Sequence, residues 1–320
     1  MTSRLNAASN NALPTCHSDP LNGDDSWGLI RTSFHSKPDY NSDYYVWGEG
    51  DDGTDVDIYI FDTGINLNHT DFEGRATWGF IGPDVTNRDE VDIRGHGTHV
   101  AGTAGGAKYG VARNANLIAV KVLGDNGSGT FADVTAGLEY VVNRRQLQRD
   151  QGKVPRSVIN MSLSGTGTAY ATEAAIGAAH EDGVISVLSA GNNAHDTCRQ
   201  SPARVSCALT VAASNINDTL AYFSNYGPCT DIIAPGRYIM GPDARVIDGY
   251  LKLSGTSMSA PHVTGMVARH LSVLSDYKAS RMSADMLKAK LFDQASTAQI
   301  DLWSTEQLAT PNHLLYKVKG

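Results

Sequence analysis

The sequence predicts an α/β fold of three layers, in which a mostly parallel central sheet carries helices on both faces. Short, continuously apolar segments bounded by Gly, Asn or Ser are typical of strands that are buried on both faces. Segments with helical periodicity alternate with these strands along the chain. Such alternation is typical of parallel sheets whose crossover helices cover both faces.

The predicted strands are runs of β-branched, aromatic and aliphatic residues. The first, over residues 55–61, reads DVDIYIF. The others cover residues 117–122, 158–163, 184–188 and 209–213. In parallel sheets of this kind, reactive groups collect at the carboxyl ends of the strands.

Helices are predicted over residues 131–148 and 171–180 and over a longer segment that follows Ser257. In the longer segment, apolar residues recur every three or four positions and form one stripe, made of Val263, Met266, Val267, Leu271 and Leu274.

One domain accounts for most of the chain. A sequence of 320 residues with 41% hydrophobic side chains can bury a large core. Residues 1–25 are polar and lack periodicity, so we expect a disordered leader or a prodomain remnant there. Residues 26–320 are expected to form the folded domain, because nothing marks a second one.

Composition excludes several classes of partner. The net charge of −8 arises from scattered charges without a basic run, so we expect no nucleic acid partner. No apolar stretch is long enough to span a bilayer, and the first 30 residues lack the order of a signal peptide. Four cysteines without a CxxC pair predict neither a disulfide scaffold nor zinc. We expect a monomer.

The first chemical motif is Asp62-Thr63-Gly64, which directly follows the strand DVDIYIF. A carboxylate at a strand end is held rigidly, which suits a group that orients a histidine. The alternative is an ordinary turn. Aspartic proteases also carry Asp-Thr-Gly, but they need two copies and this chain has one.

The second motif is GHGTHVAGT over residues 95–103. Small neighbours leave the imidazole of His96 open, and the residues after it read as a closely packed helix. Two histidines three positions apart could instead bind zinc, but HExxH is missing. We therefore interpret His99 as a packed structural histidine.

The third motif, GTSMSAPHVTG over residues 255–265, opens the long helix. Ser257 would lie at the helix amino terminus, where unpaired amides favour negative charge on a substrate oxygen. Pro261 falls near the first turn, where its missing amide costs little. The alternative is an N-cap serine. The G-x-S-x-G elbow of α/β-hydrolases fails because residue 259 is Ser.

Together the motifs read Asp, His, Ser, the order found in subtilisin. The sequence resembles the subtilisin-like serine proteases (subtilases, peptidase family S8), most of all the proteinase K-like branch and its fungal vacuolar relatives. The likeness covers residues 27–316 and includes DFEG at 71–74, FSNYG at 223–227 and Pro311-Asn312. It implies an endopeptidase in which Ser257 forms an acyl-enzyme, His96 is the base and Asp62 orients it. An unperturbed histidine near 6.5 predicts activity that rises through about pH 6 to 8.

The resemblance also implies the rest of the site. Asn192 would donate to the oxyanion together with the Ser257 amide. The segment Gly127-Ser128-Gly129 would pair with an extended substrate. The walls of the pocket for the residue before the cut would be Ser162, Leu163 and Ser164 on one side and Ser189, Ala190 and Gly191 on the other. Polypeptides with apolar or aromatic residues before the cut would be the substrates, and a prodomain or a protein inhibitor would be a further partner.

Two stabilising features follow from the same resemblance. Cys198 and Cys229 would form a disulfide, and Asp231 with backbone carbonyls near Ser206 and Ala208 would bind a structural calcium ion. The alternative for Asp231 is that it caps a turn. The chemistry itself needs no cofactor, and the expected location is extracellular or vacuolar, comparable to a lysosome.

Three residues depart from the family pattern: Ser164 replaces a glycine, Ser259 an alanine and Arg94 an asparagine. The alternative function is a catalytically silent subtilisin fold that binds or inhibits other proteins.

Overall fold

The computed structural model describes residues 16–19, 23–43, 45–48, 50–165, 167–302, 304 and 306–317. The strands are β1 Cys16–Asp19, β2 Tyr45–Gly48, β3 Asp57–Asp62, β4 Ala76–Ile81, β5 Asn116–Lys121, β6 Ser157–Met161, β7 Ile185–Ser189, β8 Leu209–Ser214, β9 Ile232–Pro235, β10 Ile239–Pro242, β11 Tyr250–Leu253, β12 Ser296–Thr297 and β13 His313–Leu314. The helices are α1 Gly23–Arg31, α2 His96–Gly105, α3 Phe131–Asp150, α4 Tyr170–Glu181, α5 Thr256–Ser272, α6 Asp276–Ala279 and α7 Ala284–Gln294.

Nine of the described strands form the central sheet, in the order β12-β13-β9-β8-β7-β6-β3-β5-β4. Neighbouring strands in it run parallel, except that β12 and β13 are antiparallel. The strand pairs β1-β2 and β10-β11 form separate antiparallel two-stranded sheets.

Side chains alternate between two apolar cores across the sheet, as strand β3 illustrates. Ile58 and Ile60 face the core that contains residues of α2, α5 and α7. Tyr59 and Phe61 face the core that contains residues of α3 and α4. Helices therefore cover both faces, and the predicted three-layer α/β fold is confirmed.

The five predicted strands correspond to β3, β5, β6, β7 and β8 in the middle of the sheet. Strands β4, β9 and β13 lie nearer its edges and were not predicted. They are short or only partly buried, so their hydrophobic pattern is weak.

Part of the predicted leader over residues 1–25 has regular structure. Residues 1–15 and 20–22 lie outside the described residues, but Cys16–Asp19 forms a strand that pairs with Tyr45–Gly48. Helix α1 begins at Gly23. Backbone pairing stabilises this segment, and side-chain periodicity does not report such pairing. The folded part of the chain thus begins before residue 26.

Parallel strands place their carboxyl ends at one edge of the sheet, and the chemical motifs meet there. Strand β3 ends at Asp62 and β7 at Ser189, while α2 begins at His96 and α5 at Thr256. Within the described part of the chain, no helix has both the length and the apolar character that crossing a membrane would require.

Candidate active site

Asp62 is the last residue of β3, and its side chain is fully buried. Its Oδ1 accepts a hydrogen bond from the amide of Thr63 at 2.8 Å. His96 Nδ1 lies 2.8 Å from Asp62 Oδ1 and 2.9 Å from Oδ2. The carboxylate is thus placed to hold the imidazole with its Nδ1 protonated, which leaves Nε2 as the base.

Close packing at Gly97 makes this pair possible. A Cβ atom on Gly97 would overlap the carbonyl oxygen of Gly64 and lie 3.0 Å from the Cβ of Asp62. The missing side chain lets the first turn of α2 rest directly on the end of β3.

Several charges set the pKa of His96. Burial lowers this pKa, but the negative charge of Asp62 and its hydrogen bond raise it more, so the pKa lies above the ordinary histidine value. The charge of Asp92 raises the pKa further, and that of Arg94 opposes the rise. The imidazole keeps 28% of its surface exposed, so the ring is both paired and accessible.

The sequence analysis did not identify Asp92, which organises the start of α2. Its buried carboxylate accepts hydrogen bonds from the amides of Gly95 and Thr98, both at 2.8 Å, and from the hydroxyl of Thr63 at 2.7 Å. That hydroxyl in turn accepts from the amide of Gly97 at 3.0 Å. One carboxylate therefore ties the helix that carries His96 to the loop after Asp62. The sequence signal that could have identified Asp92 is an acidic residue shortly before a helix start.

Lys121 was also missed, although it lies in the predicted strand over residues 117–122 and is the last residue of β5. Its side chain is fully buried, and Nζ donates to the carbonyl oxygens of Thr63 at 3.0 Å and Val91 at 2.9 Å. A charged residue that closes an apolar strand was the signal. This ammonium fixes two loops that border the Asp62–His96 pair.

Ser257 is the second residue of α5, where a backbone amide has no partner within the helix. Its Oγ donates to the carbonyl oxygen of Ser162 at 3.3 Å. Within the part of the chain that the structure describes, Ser257 and His96 form no hydrogen bond with each other. The hydroxyl of Ser162 donates to the Ser257 carbonyl at 2.8 Å.

Pro261 explains why that carbonyl is available. The helix amide that would bond to the Ser257 carbonyl belongs to residue 261, and proline has none. Pro261 thus lies one turn further into the helix than predicted, and the hydroxyl of Ser162 supplies the missing donor.

Asn192 lies beside the same helix start. Its Oδ1 accepts from the amide and the hydroxyl of Thr256, at 2.8 and 3.0 Å. These bonds orient the side-chain amide, and its Nδ2 has no partner in the part of the chain that the structure describes. Gly255 lies beside both groups. A Cβ atom on Gly255 would be 3.6 Å from Asn192 Nδ2 and 3.6 Å from the Ser257 amide nitrogen. Two donors without partners among the described residues therefore border the same space beside Gly255.

His96 lines a cleft of about 690 Å³. It is lined by six of the predicted substrate-contacting residues, namely Gly127, Ser128, Gly129, Ser162, Leu163 and Ser164. Leu123, Phe131 and Val134 contribute apolar side chains to its lining, and Arg94 also lines it.

The other three predicted wall residues are buried behind this cleft. Ser189 Oγ donates to the Leu163 carbonyl at 3.4 Å, and the amide of Gly191 donates to the Thr256 hydroxyl at 3.1 Å. Ala190 is fully buried. In this structure the three residues support the walls and the Asn192 loop without lining the cleft.

His99 is fully buried, and its Nε2 lies 3.1 and 3.2 Å from the carbonyl oxygens of Ile239 and Leu251. Burial lowers the pKa of His99 to about 4. A neutral, hydrogen-bonded imidazole fits the packed histidine that the sequence suggested. Among the described residues, no group of three or more His, Cys, Asp or Glu side chains could hold a metal.

Cys198 and Cys229 are joined by a disulfide that closes a loop with a sequence separation of 31. Asp231, two residues further on, forms an ion pair with Lys288. Its Oδ1 is 2.8 Å from Lys288 Nζ, and the same ammonium donates to the Ser206 and Ala208 carbonyls. The Lys288 ammonium thus contacts the same oxygen atoms that the resemblance assigns to calcium.

Comparison with known proteins gives a consistent assignment. Residues 53–313 match the profile of peptidase family S8, the Subtilase family. Cerevisin of Saccharomyces cerevisiae is 42% identical over 303 residues, which are 92% of this chain and 47% of that protein. Alkaline protease 2 of Aspergillus fumigatus is 44% identical over 82% of this chain and 54% of its own length. The chain thus spans about half the length of these relatives.

A solved structure agrees with the sequence relatives. The crystal structure of a cold adapted subtilisin-like serine proteinase superposes with a TM-score of 0.77 at 37% sequence identity. The match covers 92% of this chain and 98% of that one.

Proposed function

Because the chain belongs to the subtilase family, we propose that it is a serine endopeptidase that cleaves protein substrates through an acyl-enzyme on Ser257. The observation that carries the proposal is the buried Asp62 carboxylate within 2.8 Å of His96, whose ring opens into the cleft. A fully buried carboxylate that holds a partly exposed imidazole is better suited to orienting that imidazole than to stabilising the fold.

In the proposed mechanism, the Ser257 hydroxyl exchanges its bond to the Ser162 carbonyl for one to His96 Nε2. His96 then takes the proton as Oγ attacks the substrate carbonyl, and Asp62 stabilises the imidazolium. The proton next passes from His96 to the leaving amine, and water hydrolyses the ester with His96 again as base. Hydrogen bonds between catalytic groups are often long or poorly aligned before substrate binds. The bond of the Ser257 hydroxyl to Ser162 is consistent with such a resting state.

The negative oxygen formed by the attack would be bound by the Ser257 amide and Asn192 Nδ2. The amide belongs to the start of α5, where the helix dipole favours negative charge. Thr256 holds Asn192 in place before substrate arrives, so the donors need no reorganisation.

We propose that the substrate lies extended along the segment Gly127-Ser128-Gly129 and pairs with it as an added strand. The apolar side chains of Leu123, Phe131 and Val134 in the lining of the cleft support a preference for apolar or aromatic substrate residues. Ser164 lines the cleft at a position where family members usually have glycine. Its hydroxymethyl group would narrow the pocket for the residue before the cut.

The wider assignments are part of the same proposal. The peptidase domain comprises residues 26–320 together with strand β1 and the first residues of helix α1, and it acts as a monomer without a cofactor in the chemistry. A prodomain or a protein inhibitor would occupy the cleft as a substrate does. The disulfide between Cys198 and Cys229 supports an oxidising location, outside the cell or in a vacuole.

One observation favours the alternative of a silent binding protein, namely that the Ser257 hydroxyl is bonded to Ser162 and not to His96. The test is hydrolysis of a peptide anilide with Phe before the scissile bond, with a fluorophosphonate label in parallel. Ser257→Ala should abolish both signals. Ser259→Ala is the matched control, because its buried Oγ has no hydrogen-bond partner and lies on the same helix.

Loss of both signals only in Ser257→Ala would support the peptidase. A well-folded unsubstituted chain that neither cleaves nor takes the label would instead support the binding protein.

A further inference from the structure

Lys288 lies on helix α7, at the edge of the sheet opposite the cleft. Its Nζ is 2.8 Å from Asp231 Oδ1, 2.9 Å from the Ser206 carbonyl oxygen and 2.7 Å from that of Ala208. An ammonium has three N–H donors, and each has an acceptor here. We call Ser206, Ala208, Asp231 and Lys288 the Asp231 cluster.

Two acceptors of the cluster belong to residues that directly precede neighbouring parallel strands. Ala208 directly precedes β8, and Asp231 directly precedes β9. The second carboxylate oxygen of Asp231 accepts from the Thr210 amide at 2.8 Å. Backbone and carboxylate oxygens thus converge on one point, with the carboxylate already fixed by the sheet.

This arrangement differs from a surface ion pair. The side chains of Lys288 and Asp231 are only 16% and 21% exposed. Two backbone carbonyls contribute as much as the carboxylate, and a set made only of oxygen atoms is the kind that calcium prefers. Burial raises the pKa of Asp231 and the charge of Lys288 opposes the rise, so the carboxylate depends on a nearby cation.

We propose that the Lys288 ammonium is a built-in cation that takes the place of a metal ion in the Asp231 cluster. It joins the loop at residues 206–208, the start of β9 and helix α7 without calcium at this position. The N–O distances of 2.7 to 2.9 Å exceed typical calcium–oxygen distances of about 2.3 to 2.6 Å by a few tenths of an ångström. Removal of the ammonium should therefore leave an oxygen site that can contract around calcium.

The experiment measures thermal unfolding in EDTA and in millimolar calcium chloride. All variants carry Ser257→Ala, so that neither self-cleavage nor failure of the proposed function affects the readout. Lys288→Met keeps the length of the side chain and removes its charge. Lys290→Met, two residues along the same helix, is the control.

In EDTA we expect Lys288→Met to lower the Tm by about 3 to 6 °C relative to Lys290→Met. Calcium should restore part of this loss and should bind in calorimetry. The double variant Lys288→Met/Asp231→Asn should respond no more than the unsubstituted chain. Any calcium response of the unsubstituted chain should persist in Asp231→Asn, because it arises elsewhere.

Three results would overturn the inference. The first is a calcium response of the unsubstituted chain that Asp231→Asn removes. The second is a Lys288→Met chain that is as stable in EDTA as Lys290→Met. The third is a destabilised Lys288→Met chain that does not respond to calcium, which would reduce Lys288 to an ordinary ion pair.

Discussion

The carboxylate of Asp92 accepts two hydrogen bonds from Thr98, one from its amide at 2.8 Å and one from its hydroxyl at 2.6 Å. Asp92 is buried, and its charge also raises the pKa of His96. A single residue that touches no substrate thus positions the helix of the proposed base and influences its protonation.

Asp92→Asn should therefore change both stability and pH dependence. The amide cannot accept at both oxygen positions, so the free energy of unfolding should fall by about 1 to 3 kcal/mol. Loss of the negative charge should lower the pKa of His96 and move the acid limb of kcat/KM to lower pH. The exposed Asp89, substituted in the same way, is the control. An acid limb that stays in place would show that Asp92 is only structural.

Substitution of Arg94 should shift the acid limb of kcat/KM in the direction opposite to that of Asp92→Asn. His96 must be neutral to act as the base, and its pKa lies above the ordinary histidine value, so half-maximal kcat/KM should fall above about pH 6.5. The positive charge of Arg94 lowers this pKa. Arg94→Gln should move the acid limb to higher pH, while Arg88→Gln, at another exposed position, should leave it unchanged. A limb that moves to lower pH would contradict the assignment of His96 as the titrating base.

Asn192→Ala should lower kcat by about 10² to 10³, the loss known for the corresponding donor in subtilisin, with little change in KM. The reason is that Nδ2 would bind the negative oxygen of the transition state and not the resting substrate. Asn193→Ala, at the exposed neighbouring position, should retain activity. Equal losses in both variants, or a change confined to KM, would exclude the oxyanion role.

Gly97→Ala should separate the Asp62–His96 pair. The added methyl group would overlap the Gly64 carbonyl, so α2 must shift away from β3. We expect a fall in kcat of about 10²-fold or more, consistent with the cost of small misplacements in an active site. The control is Gly177→Ala on α4, where a Cβ meets nothing within 4 Å and a slight stabilisation is expected. Full activity of Gly97→Ala would show that this contact is dispensable.

The middle of the fold was predictable because its strands are buried on both faces. Strands β3 and β6 are buried along their whole length, and most of their residues are apolar. Strand β1 was not predictable, since it depends on backbone pairing with a segment about 30 residues away. Hydrophobic periodicity contains no information about such a partner.

Sequence alone was enough to place Asp62, His96 and Ser257 at a strand end or a helix start, because local turn and helix signals mark those positions. Only the tertiary structure decided which distant groups support them. Asp92 and Lys121 act through backbone atoms of other segments, and Lys288 takes the cation position beside Asp231 from a helix more than 50 residues away. Carbonyl oxygens and amides belong to every residue type, so their convergence leaves no mark in the order of the side chains.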